Sequence, residues 1–249
     1  MRTINLNRRD IAQNVIIEVA KVALGEEEEE QNNNSANIYQ NDNTIVNAAS
    51  GTGFFISEKG HIMTNNHVIE GCSRVKTFID GTEIEAKKIA TDRANDLALL
   101  KVDQSPAHVF PLSSNNPEIL QDIIVAGFPY GVMFSKTIKV TKGIVSSTRG
   151  VGDDSGQFQI DAAVQPGNSG GPIYDRYGNI VGVVIAQLNK FKMAKSIGSL
   201  PENVNFGIKA STVRQFLNTS GVITNYSKRT KPVSNEKMFE LASKQTVMV

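Results

Sequence analysis

Asp161-Ala162-Ala163-Val164-Gln165-Pro166-Gly167-Asn168-Ser169-Gly170-Gly171-Pro172 sets a serine in a glycine-rich bend with apolar residues on both sides. A serine nucleophile needs such a bend. Its hydroxyl must stand clear of the backbone, and nearby N–H groups must meet the negative oxygen that forms when a carbonyl is attacked. Glycines permit that geometry and bulkier residues obstruct it. The backbone N–H groups of Gly167 and Ser169 are candidates for this oxyanion hole, with Asn168 as a further candidate. Taken alone, the stretch is also compatible with a tight turn, so the rest of the chain has to decide.

Upstream and downstream the texture is that of short strands separated by turns. From Gly51 the chain offers Gly53 to Ser57, a turn at Glu58-Lys59-Gly60, His61 to Asn65, Val75 to Ile79, a turn at Asp80-Gly81, Glu83 to Ala90, and Asp96 to Val102. After a crossing rich in Pro, Ser and Asn at 104–116 come Asp122 to Gly127, Phe134 to Val140, Gly143 to Ser147, Phe158 to Ala162, Ile173 to Tyr174, Asn179 to Gln187 and Asn205 to Lys209. Regular spacing of short β runs predicts a barrel or sandwich. A short helix is expected over Ser211 to Leu217 with Ser211 as its cap. A weak amphipathic segment follows over Glu236 to Lys244, with Met238, Phe239 and Leu241 on a common side. Val15 to Leu24 is β-branched and apolar, and its periodicity fits helix or strand. Residues 25–48, acidic and then Asn-rich, read as a long exposed loop.

A serine hydroxyl is a weak nucleophile at neutral pH, so it needs a base in hydrogen-bond reach and the base needs a partner to fix its tautomer. The chain has three histidines. His67, in Met63-Thr64-Asn65-Asn66-His67-Val68-Ile69, stands where a strand gives way to a loop, which is where a base can face a cleft. His61 and His108 read as surface residues. For the orienting carboxylate the candidate is Asp96, because the polar corner Arg93-Ala94-Asn95-Asp96 leads directly into the apolar run Leu97 to Val102 and half-buries the group. A turn-capping aspartate would look the same.

Four motifs now resemble the trypsin-like protease domain of the HtrA/Deg family: Gly51-Thr52-Gly53-Phe54-Phe55-Ile56, Thr64-Asn65-Asn66-His67-Val68-Ile69, Asp96-Leu97-Ala98-Leu99-Leu100-Lys101-Val102, and Gly167-Asn168-Ser169-Gly170-Gly171-Pro172. Gly127-Phe128-Pro129-Tyr130-Gly131 and Gly143-Ile144-Val145-Ser146 resemble further family segments, so the likeness covers about residues 11–217. The resemblance implies an all-β chymotrypsin/trypsin-like fold, a double antiparallel β-barrel of two six-stranded barrels with short terminal helices. Residues 1–112 would hold the N-terminal segment and first barrel, 113–220 the second barrel with a short C-terminal helix, and 221–249 a basic, flexible tail. It makes Val15 to Leu24 the first barrel strand. It implies a His67, Asp96, Ser169 triad in which Ser169 attacks, His67 moves the proton and Asp96 orients the imidazole. In such folds the residue six positions before the serine lies at the base of the side-chain pocket, here Ala163. Val164 and an edge strand Ile185-Ala186-Gln187 would then line the site. With no carboxylate to neutralise a buried Lys or Arg, small or medium aliphatic residues are the expected substrates at that position.

Composition narrows the alternatives. A net charge of +1 argues against a general attraction to nucleic acid or acidic membranes. No apolar run approaches the roughly 18 residues of a membrane span. Ile11 to Leu24 is interrupted by Gln13, Asn14, Glu18 and Lys21, so no secretory signal is visible, although the resemblance implies an extracytoplasmic or organellar compartment. A single Cys72 cannot form an internal disulfide. No metal or cofactor constellation is present. Only 32 residues follow Leu217, too few for the PDZ domain that family members commonly carry. Family protease domains often form homotrimers through N-terminal segments, which makes a homotrimer the assembly the resemblance implies. The expected partners are unfolded or extended polypeptides, cleaved by a serine endopeptidase. The alternatives are a chaperone-like module that holds such segments with little or no proteolysis, and an esterase using the same triad.

Overall fold

The computed structural model describes residues 50–106, 108–131, 136–186, 203–227 and 229–249. The Val15 to Leu24 strand, the 25–48 loop, the first two residues of the Phe134 to Val140 run and Gln187 lie outside these residues. The described strands form two barrels. In the first, β1 (Thr52–Phe55), β2 (His61–Thr64), β3 (Val75–Ile79), β4 (Thr82–Asp92), β5 (Leu97–Lys101) and β14 (Thr246–Met248) close in the order β1-β14-β3-β4-β5-β2. In the second, β7 (Asp122–Gly127), β8 (Lys139–Ser147), β9 (Gln157–Ile160), β10 (Pro172–Asp175), β11 (Ile180–Ile185) and β12 (Asn205–Lys209) run β10-β7-β8-β9-β12-β11, and β10–β11 pairing closes the ring. All of these barrel pairings are antiparallel. Two-residue strands β6 (Leu112–Ser113) and β13 (Tyr226–Ser227) attach in parallel outside β11.

The period of two along each strand explains why the apolar runs are continuous rather than alternating. On β5, Ala98 and Leu100 point into the first barrel, while Leu97 and Leu99 join the core between the barrels. On β7, Ile123 and Val125 fill the second barrel, while Ile124 and Ala126 face that same shared core. Strands wedged between two cores bury both faces, and the sequence writes them as unbroken hydrophobic stretches.

Residues 221–249 depart most from expectation. In place of a flexible tail they contribute helix α3 (Asn235–Gln245) and strand β14. Ser234 caps α3 by accepting from the Lys237 N–H at 3.3 Å. Met238 and Ala242 enter the inter-barrel core, but Phe239 is 47% exposed. One residue along a helix turns about 100°, which carries Phe239 off the stripe that Met238, Leu241 and Ala242 share. Strand β14 lies between β1 and β3, paired Thr52↔Met248, Gly53↔Val247 and Phe54↔Thr246, with Val247 in the interior of the first barrel.

Three smaller expectations are also corrected. Lys139–Ser147 is one nine-residue strand, because Gly143 sits in register opposite Ile123 without breaking the ladder. Helix α2 (Ala210–Thr219) starts one residue before Ser211, with Lys209 at its N-cap and no side-chain capping bond. His61 and His108 are half-buried rather than surface residues. The His61 ring bonds Ser57 Oγ at 2.7 Å, and His108 packs edge-on against Phe110.

Candidate active site

The end of β2 runs through Asn65 into helix α1 (Asn66–Ile69), and the Asn95-Asp96 corner precedes β5. Pairing of β2 with β5 in the register Thr64↔Ala98 brings these two ends together. Four hydrogen bonds then join them. Asp96 Oδ2 meets His67 Nδ1 at 2.7 Å, and Oδ1 accepts from the His67 backbone N–H at 2.9 Å. The Asp96 carbonyl accepts from Asn65 Nδ2 at 2.8 Å and from the Asn66 N–H at 3.2 Å. Asp96 adopts φ +54°, a left-handed conformation that few residues other than Gly, Asn and Asp reach, and this sharp corner is what frees its carboxylate and its carbonyl to serve opposite partners. The side chains of His67 and Asp96 retain 18% and 26% of their exposure. A carboxylate can only accept, so the ring proton resides on Nδ1 and leaves Nε2 of the neutral imidazole as a free proton acceptor.

Ser169 comes from the other barrel, in the loop that leads into β10. It is 6% exposed. Its carbonyl accepts from the Thr52 N–H on β1 at 2.8 Å, which ties the loop across the barrel interface. Its Oγ accepts from the Ala186 N–H at 3.3 Å, and among the described residues no hydrogen bond joins Oγ to His67. Gly170, at φ +84°, crosses so close to β1 and β2 that a Cβ there would overlap the Thr52 carbonyl and Thr64 Oγ1. Neither the Gly167 nor the Ser169 N–H donates to any group among the described residues, which leaves both available. The Asn168 N–H, by contrast, already donates to the Gln165 carbonyl at 3.0 Å, which removes it from the oxyanion candidates.

The expected pocket residues divide. Ala163 is exposed, with its carbonyl accepting from Thr141 Oγ1 at 2.9 Å. Val164 is 3% exposed and packs into the core of the second barrel, so it supports the wall from behind rather than lining it. Strand β11 is flanked by β10 and β12 and is not an edge strand. Its ladder with β10 ends at Pro172↔Val183, however, and Ile185 and Ala186, both partly buried, run past that point beside Ser169. Gln187 lies outside the described residues. Two surface hollows, of about 190 and 710 Å³, include none of His67, Asp96 and Ser169. Sequence reasoning missed the local role of Thr52, whose only signal was its place between two glycines.

The family model for a trypsin-like peptidase domain matches residues 51–183. The chain belongs to this family. Among its relatives, the y4bJ protein of Sinorhizobium fredii is 36% identical over 203 residues, which are 81% of this chain and 32% of that protein. A protein of Bartonella henselae named as a probable periplasmic serine endoprotease, DegP-like, is 42% identical over 175 residues, 67% of this chain and 32% of its own length. The chain thus spans about a third of these curated relatives. The crystal structure of the serine endoprotease from Yersinia pestis superposes with a TM-score of 0.59 at 27% identity, covering 71% of this chain and 59% of that one. The resemblance read from the four motifs, and the double-barrel fold it implied, are borne out. His67 and Ser169 come from different barrels of this fold.

Proposed function

We propose that this chain is a serine endopeptidase that hydrolyses peptide bonds in unfolded or exposed polypeptide segments through His67, Asp96 and Ser169. The observation that carries the proposal is the His67–Asp96 pair, bonded at 2.7 Å through the ring and 2.9 Å through the backbone, in a trypsin-like fold whose serine stands in a glycine-rich bend. In this reading Ser169 Oγ attacks the substrate carbonyl and loses its proton to His67 Nε2. The N–H groups of Gly167 and Ser169 bind the resulting oxyanion, and His67 returns the proton to the leaving amine. Water then resolves the acyl-enzyme by the same route. Attack requires Ser169 Oγ to leave the Ala186 N–H for His67.

Ala163 supplies no charge at the pocket base, so cleavage follows small or medium aliphatic residues, and an arginine or lysine there would be left unpaired. The substrate backbone extends along Ile185 and Ala186 as an added strand. The periplasmic naming of relatives supports an extracytoplasmic site of action. One observation favours a second reading: Ser169 is bonded to Ala186 rather than to His67, as in a module that holds extended segments and cleaves rarely.

A fluorophosphonate probe separates the two. The protease reading expects labelling of the wild type and none of Ser169→Ala, with peptide hydrolysis lowered by about 10⁴-fold or more in the variant. Wild-type protein that binds denatured protein but is never labelled would establish the binder. Frequent cleavage after Lys or Arg in a digest of denatured proteins would refute the pocket assignment.

A further inference from the structure

We propose that Thr52 is a positioning residue for the oxyanion hole, acting from the first barrel on the nucleophile loop of the second. The inference deepens the protease reading and rests on it. Thr52 is fully buried. Its Oγ1 donates to the Gly167 carbonyl at 2.7 Å and accepts from the Phe128 N–H at 3.0 Å. Its own N–H donates to the Ser169 carbonyl at 2.8 Å, and its carbonyl accepts from Thr64 Oγ1 at 2.7 Å. One residue of β1 therefore grips the loop on both sides of Asn168.

The peptide planes around Gly167 show what that grip accomplishes. The plane joining Gly167 to Asn168 is held at its carbonyl by Thr52 Oγ1 and at its N–H by the Gln165 carbonyl, at 3.0 Å. The plane joining Pro166 to Gly167 is held at its carbonyl by the Tyr130 N–H, at 2.7 Å. In a trans peptide the N–H points opposite to the carbonyl, so the Gly167 N–H is aimed away from Tyr130. It is the one donor of these two planes left unclaimed among the described residues. Gly167 itself sits at φ +96°, a conformation with wide freedom for glycine, so fixing both flanking planes is what restricts it. The same Thr52 hydroxyl orders Phe128, two residues before Tyr130, and so braces both planes. Without the hydroxyl, a partly buried carbonyl and a buried N–H lose their partner together, and the loop gains a reason to rotate.

Three variants isolate the hydroxyl. Thr52→Val keeps the shape and removes the hydrogen bonds, Thr52→Ser keeps the hydroxyl and removes a methyl, and Thr52→Ala removes both. Loss of one oxyanion donor outright costs about 10²–10³ in kcat. Misaiming it through Thr52→Val is expected to lower kcat by about 10–100-fold, within that bound, with KM within about twofold. Thr52→Ser is expected to recover kcat to within about threefold of wild type. Affinity for a peptide aldehyde, which forms the tetrahedral oxyanion, should weaken in step with kcat, while affinity for a non-reactive product peptide stays constant. Should Thr52→Val not fold, the Ala and Ser variants make the same comparison. Equal kcat in Val and Ser variants, or a loss that follows the thermal midpoint and is not restored by serine, overturns the inference. Wild-type protein that never reacts with a fluorophosphonate overturns the protease reading and this inference with it. Labelling of the wild type with unaltered Thr52→Val kinetics removes this inference alone.

Discussion

His67 is held twice by one carboxylate, and the two bonds have different consequences. The bond to its backbone N–H fixes where the residue stands, and the bond to Nδ1 fixes which ring nitrogen is free. Asp96→Asn separates them. The amide can still occupy the corner, but it can present an N–H to Nδ1 and so transfer the ring proton to Nε2, where no base remains. Under the proposed mechanism the variant should fold normally and lose about 10⁴-fold in kcat at neutral pH with little change in KM, measured by steady-state peptide hydrolysis. His108 supplies a different test. Burial, and then the charges of Arg229, Lys237 and Lys244, hold its pKa below the usual 6.5. The folded state therefore binds its proton less readily than the unfolded chain does. Its contribution to stability is complete above 6.5 and declines as the pH falls below that value. His61 is lowered as well, by burial and then by Lys101 and Lys59, and adds in the same direction. Thermal midpoints of wild type should drop between pH 7 and 5, and His108→Gln should flatten part of that slope. At this scale His67, Asp96 and Ser169 stood out as candidates because each sits in a distinctive polar interruption of an apolar run, and the structure pairs the first two. Thr52 did not, since the partners of its hydroxyl are backbone groups distant in sequence that no local pattern announces.

Most strands were readable as elements because turns such as Asp80-Gly81 mark their ends. Strand β14 was not. Three residues carry no periodicity, and its partner β1 lies almost two hundred positions earlier, at pairings such as Phe54↔Thr246. Helix α3 was visible as an amphipathic segment, yet its weak stripe gave no hint that the chain continues from it into a barrel. Gly143 misled in the opposite way, suggesting a break inside a continuous strand. Because Val247 is 2% exposed within the first barrel, Val247→Asp buries a carboxylate with no partner. It should cost about 3 kcal/mol or more. A fall in the urea midpoint checks this, and a midpoint within error of wild type would show that β14 is dispensable.

Across the whole molecule, the core shared by the barrels includes side chains from β1, β2, β5, β7, β10, β11, α2 and α3. Gln245, fully buried, adds a polar link to it. Its Nε2 donates to the Phe55 carbonyl of the first barrel at 2.6 Å, and its Oε1 accepts from the Tyr174 hydroxyl of the second at 3.2 Å. Burial also pushes the Tyr174 phenol far above its ordinary value, so it remains a neutral donor. Barrels joined in this way should unfold together, with one calorimetric transition whose van't Hoff and calorimetric enthalpies agree. Gln245→Leu strands a buried carbonyl and a buried hydroxyl. It should lower stability by about 1–3 kcal/mol for each group left unpaired, and the urea midpoint reads the sum.

The position of β14 bears on how this molecule can be dissected. Recombinant fragments trimmed to residues 51–183, the span the family model recognises, would omit β12, both long helices and the strand that seals the first ring. Such a product would expose the flank of β1 at the very place where Thr52 reaches the Gly167–Ser169 loop, so inactivity in it would say nothing about the chemistry. A tag fused after Val249 would likewise emerge beside Gly51, to which that residue is bonded in both directions, and a cleavable linker belongs there.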